Sequence, residues 1–132
     1  MSVPSSTGYA FNRTRQAYLA TSLAVAGTHW SRLRGLMGKN TENFPAGSAL
    51  WIVPSHGVHT FAMRFPIDVI YLDANKLVVH VEENLKPWRV APVSLQATSV
   101  LEFPGDTLKP SGTIVGDQIE IAVGVMPQEV SA

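Results

Sequence analysis

The sequence contains no cysteine, no long apolar run and no excess of charge of either sign. Without cysteine the chain has no disulfide framework, no thiolate nucleophile and no cysteine-based zinc site. No stretch approaches the roughly 20 apolar residues that a membrane-spanning helix requires. The ten basic and ten acidic residues cancel, so neither nucleic acid nor a membrane is expected as a partner. These absences predict a soluble protein.

Residues 17–26, AYLATSLAVA, mimic a signal peptide because they follow Arg13 and Arg15 and end in an A-x-A pattern. The apolar run is nevertheless short, is interrupted by Thr21 and Ser22, and begins behind a leader that contains serine, proline and glycine. We therefore reject a signal peptide, interpret the segment as a strand of the domain and expect a cytoplasmic protein.

The 132 residues are enough for one compact domain with its own core. Apolar and β-branched runs, punctuated by nine prolines and ten glycines, predict short strands. These strands are expected near residues 14–26, 49–53, 67–72, 77–81, 97–103 and 118–123. Residues 82–92 are expected to form a long loop, because Pro87 and Pro92 remove hydrogen-bond donors from any strand there.

Helical spacing of Trp30, Leu33, Leu36 and Met37 predicts one short α-helix near residues 28–38. The predicted fold class is therefore mainly β, a single-domain antiparallel β-sandwich or barrel with one short helix. Residues 1–13 are expected to be a flexible N-terminal tail, residues 14–124 the domain, and residues 125–132 a frayed C-terminal tail.

Residues 67–81, IDVIYLDANKLVVHV, carry the strongest strand signal and predict a β-hairpin with a turn at Asp73-Ala74-Asn75-Lys76. A turn that pairs Leu72 with Leu77 places Asp68 on one face together with Ile70, Leu72, Leu77, Val79 and Val81. A one-residue slip of the turn would instead place Val78, His80 and Glu82 on the face of Asp68. In the first register Asp68 is the only polar side chain on the drier face, and a buried carboxylate needs a partner. The candidate partners are Arg64, His59, Thr60 and the backbone N–H groups of the entry loop.

His56 and His59 could share a metal ion, but no cysteine or H-E-x-x-H pattern supplies the remaining ligands. We therefore expect no metal and no cofactor, and His59 is then a hydrogen-bonded structural residue. Trp88 and Arg89 occupy the proline-flanked loop, where they suit ring stacking and a cationic contact with a ligand. The alternative is that Trp88 only pins the loop to the sheet.

Four segments, taken together, resemble one family. They are Arg34-Gly35-Leu36-Met37, the run HTFAMRFPIDVIYLD at residues 59–73, Val100-Leu101-Glu102-Phe103-Pro104-Gly105 and Gly116-Asp117. In this order they closely resemble the uncharacterised family called domain of unknown function 192, over residues 14–123. The resemblance implies a compact β-rich domain with a small helix and no established reaction. The polar motif positions of the family correspond to Arg34, Met63, Asp68 and Glu102, and Ala62 stands where many members have a bulky aromatic residue.

Three functions are consistent with these residues. The first is a binding module for a small anionic or saccharide ligand, lined by Arg34, His59, Thr60, Met63, Arg64, Asp68, Trp88, Arg89 and Glu102. The second is a hydrolase-like enzyme in which Asp68 or Glu102 is the general base and His59 its acid partner. The third is a structural or accessory protein in which the same polar residues only stabilise the fold.

Overall fold

The computed structural model describes residues 8–27, 41–60 and 63–124, which form one seven-stranded sheet. In chain order the strands are β1 Gly8–Asn12, β2 Ala17–Ala26, β3 Ser48–Ile52, β4 Ile67–Leu72, β5 Val78–Leu85, β6 Ser99–Pro104 and β7 Ile119–Ala122. A 3-10 turn at Thr41–Asn43 precedes β3, and a short helix, α1, spans Leu108–Ser111 between β6 and β7. The prediction of a mainly β single domain is confirmed.

Several predicted boundaries differ from those of the structure. Residues 8–12, expected in the N-terminal tail, form β1 and pair with β2 and β7. Residues 82–85, expected in a loop, extend β5, because Pro87 ends the strand only after Leu85. Helix α1 was not predicted. The predicted helix at 28–38 and the predicted tail at 125–132 lie outside the described residues.

The strands are ordered β5-β4-β6-β3-β2-β1-β7 across the sheet. Neighbours are antiparallel, as predicted, except for β2 and β3, which run parallel. The segment that mimics a signal peptide is β2, in agreement with its interpretation as a strand, and it pairs with both β1 and β3.

The sheet curls until its two outermost strands meet. The Val78 N–H donates to the Asp117 carbonyl at 2.9 Å, and the Gly116 N–H donates to the Val78 carbonyl at 2.8 Å. A third bond runs from the Ile119 N–H to the Lys76 carbonyl at 3.0 Å. These bonds join the start of β5 to the start of β7 and give the sheet the form of a half-barrel.

The curl divides the apolar side chains into two cores. The inner core draws on all seven strands and α1, and it includes Ala10, Leu19, Leu23, Ala49, Ile70, Leu72, Val78, Leu101, Phe103, Leu108 and Ile119. The outer core lies on the other face, between the sheet and the loops that cover it, and it includes Ala26, Phe44, Ile52, Met63, Phe65, Ile67, Val69, Tyr71, Ala91, Ala97 and Val100. Strand β4 is buried along its whole length because it contributes to both cores.

The register of the β4–β5 hairpin follows neither of the two predicted registers along its whole length. Leu72 pairs with Val78 rather than Leu77, and a bulge follows before Tyr71 pairs with His80. The bulge exchanges two predicted positions, so Val78 packs in the inner core and Val79 against the outer core. Val81 keeps its predicted place beside the face that Asp68 and Ile70 share.

A buried polar cluster fastens the β1–β2 turn to the segment before β7. The Asn12 side-chain amide donates to Asp117 Oδ2 at 3.0 Å and to Thr113 Oγ1 at 2.9 Å. Arg15 Nε donates to the same Asp117 oxygen at 3.0 Å. Burial by itself would raise the pKa of Asp117, but the hydrogen bonds from Arg15 and Asn12 outweigh it and lower that pKa. Asp117 is therefore held as a carboxylate.

We expect Arg15→Gln to lower the free energy of unfolding by about 1–3 kcal/mol, because it leaves the buried Asp117 carboxylate without its cation. The matched variant Arg13→Gln removes an exposed ion pair to Glu120 and should change stability by less than about 0.5 kcal/mol. Urea denaturation of both variants provides the measurement. The stabilisation should be present above the unfolded pKa of 3.8 and disappear as the pH falls through the lower pKa of folded Asp117. Equal effects of the two substitutions would contradict this assignment.

Candidate functional site

Asp68 is fully buried, and backbone N–H groups satisfy both of its carboxylate oxygens. The Asn84 N–H donates to Oδ1 at 2.7 Å, and the Leu108 N–H donates to Oδ2 at 2.9 Å. Asn84 adopts a positive φ of 52°. It lies in a second bulge of the β4–β5 pairing, between the residues that pair with Ile67 and Val69. Asp68 therefore ties the bulged end of β5 and the start of α1 to the middle of the sheet. A backbone partner was among the predicted possibilities, but these amides belong to distant segments rather than to the entry loop.

The turn after β6 completes this arrangement. Asn84 Nδ2 donates to Asp106 Oδ1 at 2.8 Å, and the Thr107 hydroxyl donates to the Pro104 carbonyl at 2.6 Å. A Cβ atom on Gly105 would collide with the side-chain oxygen of Asn84. Glycine at this position therefore allows the Pro104-Gly105 turn to approach the bulge of β5.

Thr60 is buried and anchors the loop that carries Trp88. Its hydroxyl donates to the Lys86 carbonyl at 2.6 Å and accepts from the Arg89 N–H at 2.7 Å. Its backbone N–H donates to the Arg89 carbonyl at 2.7 Å, and its carbonyl accepts from the Trp88 N–H at 2.8 Å. One threonine thus fixes both ends of the Lys86–Arg89 turn. No sequence motif signals this role.

We call residues 86–95 the Trp88 loop. Trp88 has a positive φ of 62°, and its side chain is 63% exposed. Arg89 is also exposed, and His59, exposed as well, forms an isolated antiparallel bridge with Val90. The structure therefore places His59, Thr60, Trp88 and Arg89 close together, with more than half of the Trp88 side chain exposed.

Two further predicted site residues, Met63 and Arg64, follow Thr60 and differ in exposure. Met63 is buried in the outer core, and its N–H donates to the Thr60 carbonyl at 3.2 Å, so the loop anchor continues into the core. Arg64 follows it and is exposed. Arg34 lies outside the described residues. Within the described residues, no three histidine, aspartate or glutamate side chains form a group that could hold a metal ion.

Glu102 is the second buried carboxyl group of the sheet, with only 4% of its surface exposed. It pairs with Leu50 on one side and with Val69 on the other, and its side chain lies on the outer face. Within the described part of the chain its Oε1 atom has no hydrogen-bond partner. Burial raises the pKa of Glu102 from 4.5 to about 8. Glu102 is therefore protonated at neutral pH and can act as an acid but not as a ready base.

Asp68 and Glu102 do not converge. Asp68 pairs with Phe103 of the inner core, whereas Glu102 pairs with Val69 of the outer core. Because successive side chains of a strand point to opposite faces, the two carboxyl groups lie on opposite sides of the sheet. The described residues therefore do not form a cleft that both carboxyl groups line. The same geometry excludes an acid–base pair made of Asp68 and Glu102.

A polar chain beside the Trp88 loop was missed from the sequence. The Tyr71 hydroxyl donates to the Pro92 carbonyl at 2.6 Å, and the Tyr71 ring meets the His80 ring edge to face. His80 Nε2 in turn lies 2.6 Å from Glu82 Oε2. Burial, followed by the charge of Glu82, raises the pKa of Tyr71 to about 12. The only available signal was that His80 and Glu82 are two residues apart, which places them on one face of a strand.

We expect the free energy of unfolding to decrease as the pH rises from 4.5 to about 8, because in this range the unfolded chain releases the Glu102 proton whereas the folded protein retains it. The loss should amount to several kcal/mol, since each pKa unit corresponds to about 1.4 kcal/mol. Glu102→Gln should remove this dependence of stability on pH, and above pH 8 the variant should be more stable than the wild type. Glu83→Gln changes an exposed residue and should retain the pH dependence of the wild type. Urea denaturation across this pH range is the test, and identical profiles for wild type and Glu102→Gln would refute the protonated state.

Asp68→Asn should lower the free energy of unfolding by about 2–3 kcal/mol, because its NH2 group would face a backbone N–H donor in a fully buried site. Asp106→Asn alters a surface hydrogen bond to the same Asn84 and should cost less than about 0.5 kcal/mol. Chemical denaturation at pH 7 measures both. A variant of Asp68 that unfolds like the wild type would show that the two amide bonds contribute nothing.

Comparison with known proteins identifies relatives along nearly the whole chain. The model of DUF192, a family described as "Uncharacterized ACR", matches residues 10–121. A UPF0127 protein of Pyrococcus abyssi is 30% identical over 118 residues, which cover 86% of this chain and 97% of that protein. A UPF0127 protein of Pyrococcus horikoshii is 31% identical over 117 residues, which cover 83% of this chain and 95% of that protein.

Two crystal structures share the fold. One is a protein of unknown function from Novosphingobium aromaticivorans, with a TM-score of 0.73 at 18% identity over 86% of this chain and 82% of that chain. The other, from Sinorhizobium meliloti and provisionally assigned as a transcription regulator, has a TM-score of 0.72 at 18% identity over 92% of this chain and 97% of that chain. At this identity the likeness concerns the fold alone. The family model covers most of the described sheet, from β1 into β7, and the chain therefore belongs to the uncharacterised DUF192 family.

Proposed function

We propose that the protein is a binding module for a small anionic or sugar-like ligand, which it binds at the Trp88 loop with Trp88, Arg89, His59 and Arg64. The observation that carries this proposal is the anchoring of the loop by buried Thr60, while the Trp88 ring remains 63% exposed. An indole held by a fixed backbone loses little conformational freedom when a ring stacks on it.

The charges around the loop support an anionic ligand. The sequence has no aspartate or glutamate between residues 43 and 67 or between residues 84 and 101. These two stretches nevertheless contain Arg64, Lys86 and Arg89, together with His56 and His59. Arginine side chains donate two parallel hydrogen bonds to a carboxylate or phosphate group. An exposed aromatic ring next to such donors suits a sugar that carries a negative charge.

The hydrolase-like and accessory alternatives explain fewer of these features. Both oxygens of Asp68 already accept backbone hydrogen bonds, and Glu102 keeps its proton at neutral pH, which weakens the case for either as a general base. An accessory role accounts for Asp68 and Thr60 as fold-stabilising residues but gives no reason to expose Trp88. We place the binding activity in the cytoplasm, as expected from the sequence, and this location is part of the proposal.

Isothermal titration with inorganic phosphate, glucose 6-phosphate and neutral glucose tests the proposal. We expect glucose 6-phosphate to bind most tightly, with a Kd of about 0.1–1 mM. Arg89→Gln should weaken this binding about tenfold, because it removes a charge-assisted hydrogen bond. Arg13→Gln, on an exposed arginine far along the sequence and outside the loop, should leave it unchanged.

Thr60 separates loop anchoring from direct contact with the ligand. Thr60→Val loses the hydroxyl that holds Lys86 and Arg89, so affinity should fall severalfold, whereas Thr60→Ser retains that hydroxyl and should bind like the wild type. The proposal fails if none of the three compounds binds at about 10 mM, or if Arg89→Gln and Arg13→Gln bind equally well.

A further inference from the structure

The Trp88 loop exposes more apolar surface than a small ligand requires. Trp88, Val90, Val93 and Leu95 are between 63% and 87% exposed, although they lie within eight consecutive residues. Exposed apolar side chains that occur singly are common, but a continuous group indicates a surface for association. The loop therefore presents four large apolar side chains to solvent in addition to its cations.

The Trp88 loop pairs with the segment that contains His59. Residues 88–94 run antiparallel to residues 56–60, with the Ala91 N–H donating to the Val58 carbonyl at 3.0 Å and the Ser94 N–H to the His56 carbonyl at 2.9 Å. The resulting two-stranded ribbon lies on the outer core through Ala91, with Val58 packed against that core. Ala91 and Val58 therefore hold the ribbon against the outer core, and the exposed apolar side chains of the Trp88 loop lie outside that contact.

The ribbon is also held rigidly. A Cβ atom on Gly57 would come within 3.2 Å of the Pro92 carbonyl oxygen, so the two halves of the ribbon are in close contact. The Pro92 carbonyl accepts the hydroxyl of buried Tyr71, and His56 Nδ1 lies 2.7 Å from the Ala97 carbonyl. These contacts hold the backbone that carries the exposed apolar side chains in one position.

We propose that the Trp88 loop docks the protein on the surface of a membrane rich in anionic lipids. Val90, Val93 and Leu95 would enter the boundary between head groups and acyl chains, Trp88 would lie at the level of the head groups, and Arg64, Lys86 and Arg89 would contact lipid phosphates. This inference rests on the proposed binding function, because it names the lipid head group as the source of the anionic ligand.

The charge distribution favours a lipid surface over other partners. The expectation of no membrane partner used the net charge of the whole chain, which is zero. The acidic residues are nevertheless absent from both stretches that form the ribbon, so an anionic surface meets cations without a repelling carboxylate from these stretches. A second copy of the chain would instead bring two cationic ribbons together, which like-charge repulsion disfavours.

Vesicle co-sedimentation of the full chain tests the inference. We compare vesicles of phosphatidylcholine with vesicles that contain about one third phosphatidylglycerol. Three cations near the surface should favour the anionic vesicles on the order of a hundredfold, and high salt should reverse most of this preference. The double variant Val93→Ser/Leu95→Ser should bind anionic vesicles at least about tenfold more weakly. The control Ile114→Ser/Val115→Ser changes two exposed aliphatic residues outside the ribbon and should bind like the wild type.

Titration with glucose 6-phosphate distinguishes this inference from the proposed function. Val93→Ser/Leu95→Ser should bind glucose 6-phosphate like the wild type, whereas Arg89→Gln should lose affinity for both the sugar phosphate and the vesicles. Failure of the wild type to bind either vesicle overturns membrane docking, and the proposed function then depends on the titration alone. An equal loss of vesicle binding in the control variant Ile114→Ser/Val115→Ser also overturns it. So does a wild type that sediments as a dimer without vesicles while Val93→Ser/Leu95→Ser sediments as a monomer, because the apolar side chains would then bind a second copy of the chain.

Discussion

The arrangement of the sheet depends on one buried carboxylate and the two backbone amides that it accepts. Asp68 lies in β4, the strand that both cores cover, and its amide partners belong to the bulge of β5 and the first residue of α1. A carboxylate transferred from water into this site without those amides would cost several kcal/mol. The same two bonds determine where β5 bends and where the chain after β6 turns toward β7. The carboxylate thus specifies the geometry of three segments that are distant in sequence.

The sheet accommodates the two buried acids of its strands, Asp68 in β4 and Glu102 in β6, in opposite ways. Asp68 accepts a hydrogen bond on each oxygen, whereas Glu102, one strand away and on the other face, has one oxygen without a partner in the described residues and a pKa raised by burial. The first arrangement stabilises a fold, and the second stores a proton in the outer core. The pairs Asp68–Phe103 and Val69–Glu102 are adjacent in β4 and β6. The two carboxyl groups therefore lie on neighbouring strands but on opposite sides of the sheet.

Much of the fold was predictable from the sequence, because alternating and β-branched runs identify β3, β4, β6 and β7 to within a few residues. The register of β5 was not predictable. Its two irregularities depend on long-range bonds, such as that from Asn84 to Asp68, which leave no local pattern. Trp88 and Arg89 were predictable as loop residues, but the role of Thr60 depends on contacts with residues 26 to 29 positions away. Net charge is an average over the chain, so it does not show where the acidic residues lie.

The half-barrel leaves a strand edge that is only partly covered. The hydrogen bonds that join β5 to β7 involve residues 76–78 on one side and residues 116–119 on the other, at the beginning of β5. Farther along, the same strand carries Glu82 and Glu83 and ends in a bulge with left-handed Asn84. Charged side chains and a local kink are features that discourage an incoming strand from extending a sheet. These features therefore protect the part of the β5 edge that β7 does not cover from pairing with another chain, although the barrel is not completely closed.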